Sequence, residues 1–141
     1  MNTIKKTILF FSLLLACSFQ LLAQNDIQQN YNKEEIKIEM RDGVKLFTSI
    51  YDPKDKSISY PILITRMPFN SEPNKDSYSG FLSYLPHLIK EKYILVLQDV
   101  RGKYMSEGEF VEVRPYNPNK KNKETDENSD AYDTIDWLVH N

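Results

Sequence analysis

The sequence predicts an α/β fold in which an antiparallel hairpin leads into a parallel, helix-covered sheet. Three observations predict this fold. Residues 34–53 alternate apolar and polar side chains in two runs around a turn. Two nearly continuous apolar runs, residues 61–65 and 93–97, flank a stretch with helical spacing. A second helical stretch ends the chain, and because the sheet edges would then lack partners, we expect an incomplete domain.

The first predicted element is a β-hairpin. Ile36, Ile38 and Met40 alternate with charged residues, which is typical of a strand that buries one face. The sequence Arg41-Asp42-Gly43 is a turn of the Asp-Gly type that joins hairpin strands. The second run then alternates in the same way from Val44 to Pro53. Residues 34–53 are therefore predicted to form two antiparallel strands.

The second predicted element is a crossover unit. The runs 61–65 and 93–97 are typical of strands covered on both faces. Between them, residues 79–92 carry apolar side chains at helical spacing. Pro86 lies inside this stretch and indicates a break or a late helix start, because proline lacks an amide hydrogen. The order strand, helix, strand predicts a parallel pair of strands.

A long polar loop and a final helix follow. Residues 103–128 are polar, and loops of this length are usually functional or mobile. We interpret the lysine run at 120–123 as solvated surface. A helix is predicted from about Asp126, because apolar residues then recur at i, i+3, i+6 and i+7. These residues are Tyr132, Ile135, Leu138 and Val139.

The N-terminus predicts export. Lys5 and Lys6 precede an apolar segment that ends at Ala23, as in a secretory signal peptide covering residues 1–23. Secretion or delivery to the periplasm is therefore expected, followed by a flexible polar leader at residues 24–33. An alternative remains open, because Cys17, the only cysteine, ends a sequence like a lipobox. The apolar segment continues past Cys17, which favours simple cleavage over a lipid anchor.

Composition and spacing exclude several classes of function. Hydrophobic residues make up 40% of the chain and charged residues 27%, with a net charge of −2. A nucleic-acid partner is not expected, since it would need a concentrated basic face. His87 and His140 have no carboxylate or cysteine at metal-ligand spacing, and no glycine-rich phosphate loop is present. We therefore expect no metal and no cofactor, and we interpret both histidines as incidental.

Four segments carry a resemblance to a known family. They are Met40–Leu46, Thr65–Asn70, Gln98–Phe110 and Asp130–Leu138. In this order and at this spacing, the chain resembles the X-Pro dipeptidyl-peptidase and cocaine-esterase-like hydrolases over residues 34–141. The pattern from Arg114-Pro115 to Trp137-Leu138 best resembles the branch of α-amino-acid ester hydrolases and cephalosporin acylases.

The resemblance implies an α/β-hydrolase domain, a helical cap and a jelly-roll β-sandwich. It also implies a Ser-His-Asp triad whose serine lies on a strained elbow between a strand and a helix. No Gly-x-Ser-x-Gly occurs here, so we expect the chain to stop before the elbow and to contain no catalytic residue. The full-length protein is expected to hydrolyse small-molecule or short peptide substrates, and a homo-oligomer remains open for it.

The resemblance also points to individual residues. The family's Arg-x-Pro-Tyr motif supplies a tyrosine hydroxyl to the oxyanion, and here that position is Phe69, which has no hydroxyl. Glu72 and Asp76 follow it and are candidates to bind a substrate ammonium group, with a solvated loop as the alternative. Asp99 and Arg101 follow a buried strand, and we interpret them as a structural ion pair that fixes the next loop.

Two other functional hypotheses remain open. Phe69 and the missing triad are consistent with a non-catalytic pseudo-enzyme or a secreted binding domain on the same scaffold. A small stand-alone α/β binding module is the third hypothesis. It would require these residues to fold cooperatively although sheet edges are unpaired.

Overall fold

A computed structural model describes residues 27–68 and 80–141. The elements are β1 (Tyr31–Glu39), β2 (Lys45–Pro53), β3 (Ile62–Met67), a 3-10 helix (Gly80–Tyr84), α1 (Pro86–Lys90), β4 (Ile94–Asp99) and α2 (Glu127–His140). The four strands form one mixed sheet in the order β1-β2-β4-β3. The predicted α/β class is therefore confirmed.

The predicted hairpin is present. Strands β1 and β2 pair antiparallel, from Tyr31 opposite Pro53 to Glu39 opposite Lys45. At the turn, the amide of Gly43 donates to the carbonyl of Met40 over 2.8 Å. Gly43 has a φ of +89°, a left-handed conformation that costs glycine little because it has no Cβ. The Asp-Gly signal in the sequence thus located the turn correctly.

The start of the sheet differs from the expectation of a flexible leader. Residues 27–30 form a helical turn, and β1 already begins at Tyr31. Ile27 and Tyr31 are 5% and 1% exposed and pack in one core cluster with Tyr51. Ile27 lies in the helical turn and Tyr31 is the first residue of β1, and both side chains reach the same core cluster. Their burial therefore fixes a segment whose overall composition is polar.

The predicted crossover is confirmed, including the interruption of its helical part before Pro86. Strands β3 and β4 pair parallel, from Ile62 opposite Ile94 to Met67 opposite Asp99. The break or late helix start indicated by Pro86 is present, because a 3-10 helix ends at Tyr84 and α1 begins at Pro86. Pro86 stands in the first turn of α1, where its missing amide hydrogen costs nothing. A continuous helix through Pro86 would lose a hydrogen bond and clash with the preceding turn.

Strand β4 joins the hairpin to the parallel pair. It pairs antiparallel with β2, from Thr48 opposite Gln98 to Tyr51 opposite Leu95. Every residue of β4 after Ile94 is buried. Its side chains alternate between the two faces: Leu95 and Leu97 pack with the residues around α1, whereas Gln98 bonds to Thr134 of α2. Helices therefore cover both faces of the strand that ends at the candidate site.

Helix α2 begins where the sequence predicts. Asp126 is its N-cap, and its carboxylate accepts a hydrogen bond from the amide of Ser129 over 2.8 Å. The hydroxyl of Ser129 in turn accepts from the amide of Asp126 over 2.7 Å. This reciprocal pair satisfies two of the amides that a helix start leaves without partners.

The face that α2 turns to the sheet is polar. Asp130 and Thr134 are fully buried, and Trp137 is half-buried against Ile38 and its neighbours. Three of the four apolar residues that revealed the helical period are exposed. Tyr132, Ile135 and Val139 are 63%, 49% and 68% exposed. The periodicity therefore located the helix but did not identify its contact face. None of the helices in the described residues is both long and apolar enough to cross a membrane.

Candidate functional site

The carboxyl ends of β3 and β4 lie side by side at one edge of the sheet. Met67 pairs with Asp99, and the amide of Val100 donates to the carbonyl of Met67 over 3.0 Å. Ligands of open α/β sheets bind outside the carboxyl ends of the strands. This edge is therefore the candidate functional site.

The loop after β4 is folded back onto the hairpin. The hydroxyl of Ser106 donates to the carbonyl of Asp99 over 2.6 Å and accepts from the amide of Phe47 over 2.8 Å. The carboxylate of Asp99 accepts from the amide of Met105. The expected ion pair between Asp99 and Arg101 is not formed, because the Asp99 carboxylate turns to this loop and Arg101 binds other partners.

Two glycines permit the tight path of this loop. Gly102 has a φ of +70°, and a Cβ built there would lie 2.1 Å from the backbone nitrogen of Phe110. Gly108 has a φ of +88°, and its Cβ would lie 2.9 Å from Cγ of Arg101. Tyr104, with a φ of 46°, is also left-handed although it is not glycine. Such strain persists only where the surrounding contacts fix the backbone.

Arg101 connects three parts of the fold. Its Nε and Nη2 donate to the two carboxylate oxygens of Asp130 over 3.0 and 2.6 Å. Its Nη1 donates to Asp42 in the hairpin turn over 2.7 Å. Burial lowers the pKa of Arg101, but hydrogen bonds to the two aspartates outweigh this effect and raise it above its ordinary value. For Asp42, burial raises the pKa, but the bond to Arg101 and others lower it overall.

Asp130 is the centre of a cluster of three guanidinium groups, which we call the arginine cluster: Arg66, Arg101 and Arg114. Arg114 reaches the carboxylate of Asp130 with Nη2 over 3.0 Å, and Nη2 of Arg66 lies 3.6 Å from it. Glu127, one turn earlier, also binds Arg66 and Arg114, over 3.1 and 2.7 Å. The cluster therefore fastens the first turn of α2 to the carboxyl ends of β3 and β4.

Sequence reasoning missed the arginine cluster. Its members contact Asp130 from 64, 29 and 16 positions away along the chain, so no local spacing reveals them. The available signal was the acidic first turn of α2, which contains Glu127 and Asp130. Arg66 near the end of β3 and Arg101 shortly after β4 were the matching half of that signal.

Arg66 is also bonded to β4. Its Nε donates to Oε1 of Gln98 over 2.9 Å. The amide nitrogen of buried Gln98 donates to Thr48 of β2 and to Thr134 of α2, each over 3.0 Å. Burial lowers the pKa of Arg66, and nearby Arg114 lowers it further, although Glu127 and Asp130 oppose the shift. One nitrogen of Arg66, Nη2, is buried and makes no hydrogen bond.

A crevice opens at this edge, with a volume of about 370 Å³. Its wall combines apolar side chains from both strand ends and from the long loop with two carboxylates. The lining residues are Pro68, Val100, Phe110, Val111, Glu112 and Glu127. This lining suits an apolar part of a ligand, because ligand sites are mostly apolar with a few polar groups that orient the ligand.

Several predicted site residues fall outside the described residues. Phe69, Glu72 and Asp76 lie between Pro68 and Gly80, and Cys17 lies before residue 27. Their proposed roles stay predictions, as does the signal peptide.

The two histidines are described, and the structure keeps them apart. His87 lies on α1, whereas His140 ends α2, where its Nδ1 lies 2.7 Å from the carbonyl of Asp136. Over residues 27–68 and 80–141, no group of three or more histidine, cysteine or acidic side chains is arranged to hold a metal ion.

Comparisons with known proteins agree with the motifs. A family model described as X-Pro dipeptidyl-peptidase (S15 family) matches residues 42–141. Cocaine esterase from Rhodococcus sp. (strain MB1 Bresler) is 31% identical over 114 residues, which cover 80% of this chain and 18% of that protein.

Two solved structures resemble this one. An aminopeptidase from a marine sediment archaeon, Thaumarchaeota archaeon, superposes with a TM-score of 0.65 and 41% identity over 79% of this chain and 19% of that chain. An α-amino acid ester hydrolase superposes with a TM-score of 0.63 and 43% identity over the same shares, 79% and 19%. The chain thus spans about a fifth of the length of these relatives. The fold is consistent with a fragment of an α/β-hydrolase-like domain.

Proposed function

Because this chain belongs to the X-Pro dipeptidyl-peptidase family, we propose that the full-length protein is a serine hydrolase. It would cleave ester or amide bonds of amino-acyl or peptide-like substrates. The observation that carries this proposal is the family match over residues 42–141, which includes both strand ends and the loop of the candidate site. The carboxyl edge of β3 and β4 is the place where such a fold gathers its reacting groups.

The described residues would form the wall of the active site, and the triad would lie outside these 141 residues. A serine would attack the carbonyl carbon and form an acyl-enzyme, with its proton passing to the histidine. The leaving group would take that proton, and water would then release the acid. The contribution of this chain would be to bind and orient the substrate.

The preferred substrate would be an amino-acid ester. The pattern of the loop from 103 to 128, which resembles the ester-hydrolase branch, supports this choice, as does 43% identity to the α-amino acid ester hydrolase. Because the chain is also 41% identical to an aminopeptidase, amide substrates should be tested beside the esters. If the protein turned over a dipeptidyl-proline amide but no amino-acid methyl ester, the dipeptidyl-peptidase activity would be preferred over the ester-hydrolase activity.

Labelling with a fluorophosphonate probe tests the proposal directly. The secreted full-length protein should be labelled at one serine and should lose ester turnover when labelled. A folded protein that takes no label and turns over neither substrate would instead support the non-catalytic pseudo-enzyme or binding domain.

Phe69 would leave the oxyanion without the hydroxyl that the family motif supplies. One such donor contributes about 10²-fold or more to turnover. The Phe69→Tyr variant should therefore raise kcat for esters by at least about tenfold, whereas Phe69→Leu, which adds no hydroxyl, should not. If neither variant raises kcat, a missing donor does not limit the reaction.

Glu72 and Asp76 would bind the ammonium group of the substrate. The proposal rests on their acidic character and on their position shortly after Phe69. Replacing them with Gln and Asn should raise KM for an amino-acid ester and leave KM for its N-acetylated counterpart unchanged. Equal changes for the two esters would identify a solvated loop.

Residues 1–23 would direct export. N-terminal sequencing of the mature protein should begin at Gln24. A mature chain that begins with an acylated Cys17 would instead establish a lipoprotein.

A further inference from the structure

We propose that the crevice at the carboxyl ends of β3 and β4 binds a basic side chain of the substrate, with the carboxylate of Glu112 as the partner of its charge. This inference rests on the proposed function and names the substrate class, which is esters or amides of lysine or arginine.

The crevice lies where the two parallel strands end. Pro68 and Val100 directly follow β3 and β4, and both line the crevice. Ligands of open α/β sheets bind at this edge. The volume of about 370 Å³ is near the lower end of the range for small-molecule sites, about 300–1,000 Å³. The crevice therefore suits one side chain of a substrate rather than a whole peptide.

The wall of the crevice suits the hydrocarbon stem of a basic side chain. Pro68, Val100, Phe110 and Val111 supply its apolar surface, and Val111 is 45% exposed, so a ligand can still cover it. Lysine and arginine lay their methylene stems along apolar surface while the charged end reaches a polar partner. Burial of the stem against these residues would favour binding.

Glu112 is the carboxylate of the crevice that is available to a ligand. The other one, Glu127, is already bound by Arg66 over 3.1 Å and by Arg114 over 2.7 Å. Glu112 is exposed and forms no hydrogen bond or ion pair within residues 27–68 and 80–141. An uncharged side chain would cover this carboxylate without pairing it, which is costly. The crevice should therefore select a cation.

The wall beside Glu112 is held in place by neighbouring groups. Phe110 packs so closely on Gly102 that a Cβ there would lie 2.1 Å from the backbone nitrogen of Phe110. The ammonium of Lys103 lies 3.8 Å from the centroid of the Phe110 ring, so this cation is engaged with the ring rather than with Glu112. A wall that is already ordered favours affinity, because less conformational freedom is lost when the ligand binds.

The test compares L-lysine methyl ester with L-norleucine methyl ester, which lacks only the side-chain ammonium. Both esters carry the same α-ammonium group, so binding of that group by Glu72 and Asp76 cancels in the comparison. The full-length wild type should have a kcat/KM about fivefold higher for the lysine ester, as an exposed ion pair can contribute. The difference should lie mainly in KM, because Glu112 would bind substrate and transition state equally.

Three variants of exposed residues locate this preference. Glu112→Gln should bring the two kcat/KM values within about twofold of each other, because the ion pair is lost. Glu112→Lys should reverse the preference, because like charges repel. Glu109→Gln is the matched control, since Glu109 is an exposed carboxylate of the same loop that does not line the crevice. It should keep the fivefold preference, and all three variants should fold like the wild type.

The outcomes separate this inference from the proposed function. A wild type that takes no fluorophosphonate label and turns over neither ester overturns both. A wild type that turns over the norleucine ester without preferring the lysine ester overturns only the role of the crevice. The same conclusion follows if Glu112→Gln keeps the preference, or if Glu109→Gln loses it to the same extent.

Discussion

The guanidinium of Arg101 lies 2.6 Å from a carboxylate oxygen of Asp130, and both side chains are buried. This contact fastens the loop after β4 to the first turn of α2. Because Arg101 also binds Asp42, the hairpin turn is held by the same group. Three segments that are far apart in the sequence are thus fixed by one side chain beside the candidate site.

Replacing Arg101 with Met should be strongly destabilising. The variant leaves Asp42 and the buried Asp130 with fewer partners, and breaking a buried ion pair costs about 3–5 kcal/mol. We expect a loss near the lower end, because Arg114 still binds Asp130. Lys37→Gln is the control, since the pair of Lys37 with Glu107 is exposed and such pairs contribute about 1 kcal/mol or less. Equal losses in urea unfolding of the two variants would contradict this account.

Gly102 should tolerate no side chain. In Gly102→Ala the new Cβ would lie 2.1 Å from the backbone nitrogen of Phe110, and backbone cannot yield as a flexible side chain can. We expect Gly102→Ala to lower the free energy of unfolding by about 3 kcal/mol, because overpacking and the positive φ both act against it.

Two other glycines provide graded controls for Gly102. Gly43 has a positive φ but open space, so its alanine variant should lose about 1–2 kcal/mol. Gly80 has neither constraint, so the stability of Gly80→Ala should differ from that of the wild type by about 0.5 kcal/mol or less. In thermal unfolding, the loss of stability should be largest for Gly102→Ala, smaller for Gly43→Ala and smallest for Gly80→Ala. Any other order would mean that the close approach to Phe110 does not determine the cost at Gly102.

The cap of α2 should depend on an acceptor at position 126. Asp126→Ala removes the bond to the amide of Ser129 and should cost about 1 kcal/mol. Asp126→Asn keeps an acceptor and should cost less, although it loses the charge that faces Lys120. Hydrogen exchange at the first turn of α2 should accelerate more in the alanine variant. Equal exchange in both variants would indicate that the charge, not the cap, holds the helix start.

Local pattern accounts for the parts of the fold that were predicted. Alternation around Asp42-Gly43 gave the hairpin, and the continuous apolar runs gave the parallel pair. The apolar periodicity after Asp126 gave the start of α2. Each of these depends on residues within a few positions of one another, where backbone geometry fixes the period.

Long-range pairing accounts for what was not predicted. Nothing in the sequence near Tyr51 shows that it pairs with Leu95. The face of α2 was missed because Asp130 and Thr134 are buried through polar contacts to Arg101 and Gln98, and hydrophobic periodicity does not register such contacts. In the candidate site, the same limitation hid the arginine cluster.

Acid should destabilise the protein through Asp42. Hydrogen bonds to Arg101 and others, outweighing burial, hold the pKa of Asp42 below its ordinary value. A carboxylate with a lowered folded-state pKa stabilises the fold fully above its unfolded pKa of about 3.9, and the contribution is lost as pH falls further. The free energy of unfolding measured in urea should therefore decrease below about pH 4. In Asp42→Asn this free energy should depend less steeply on pH in the same range. Parallel curves for the two proteins would contradict the linkage.

Alkali should destabilise the protein through Tyr31. Burial, with a smaller effect of Tyr60, raises the pKa of Tyr31 to about 12, and its hydroxyl donates to the carbonyl of Ile89. Because the folded state holds this proton more tightly than the unfolded chain, the contribution is complete below about pH 10 and is lost as pH rises through 12. The stability difference between the wild type and Tyr31→Phe should therefore shift in favour of the variant above about pH 10. A difference that stays constant with pH would show that Tyr31 ionises as readily in the folded protein as in the unfolded chain.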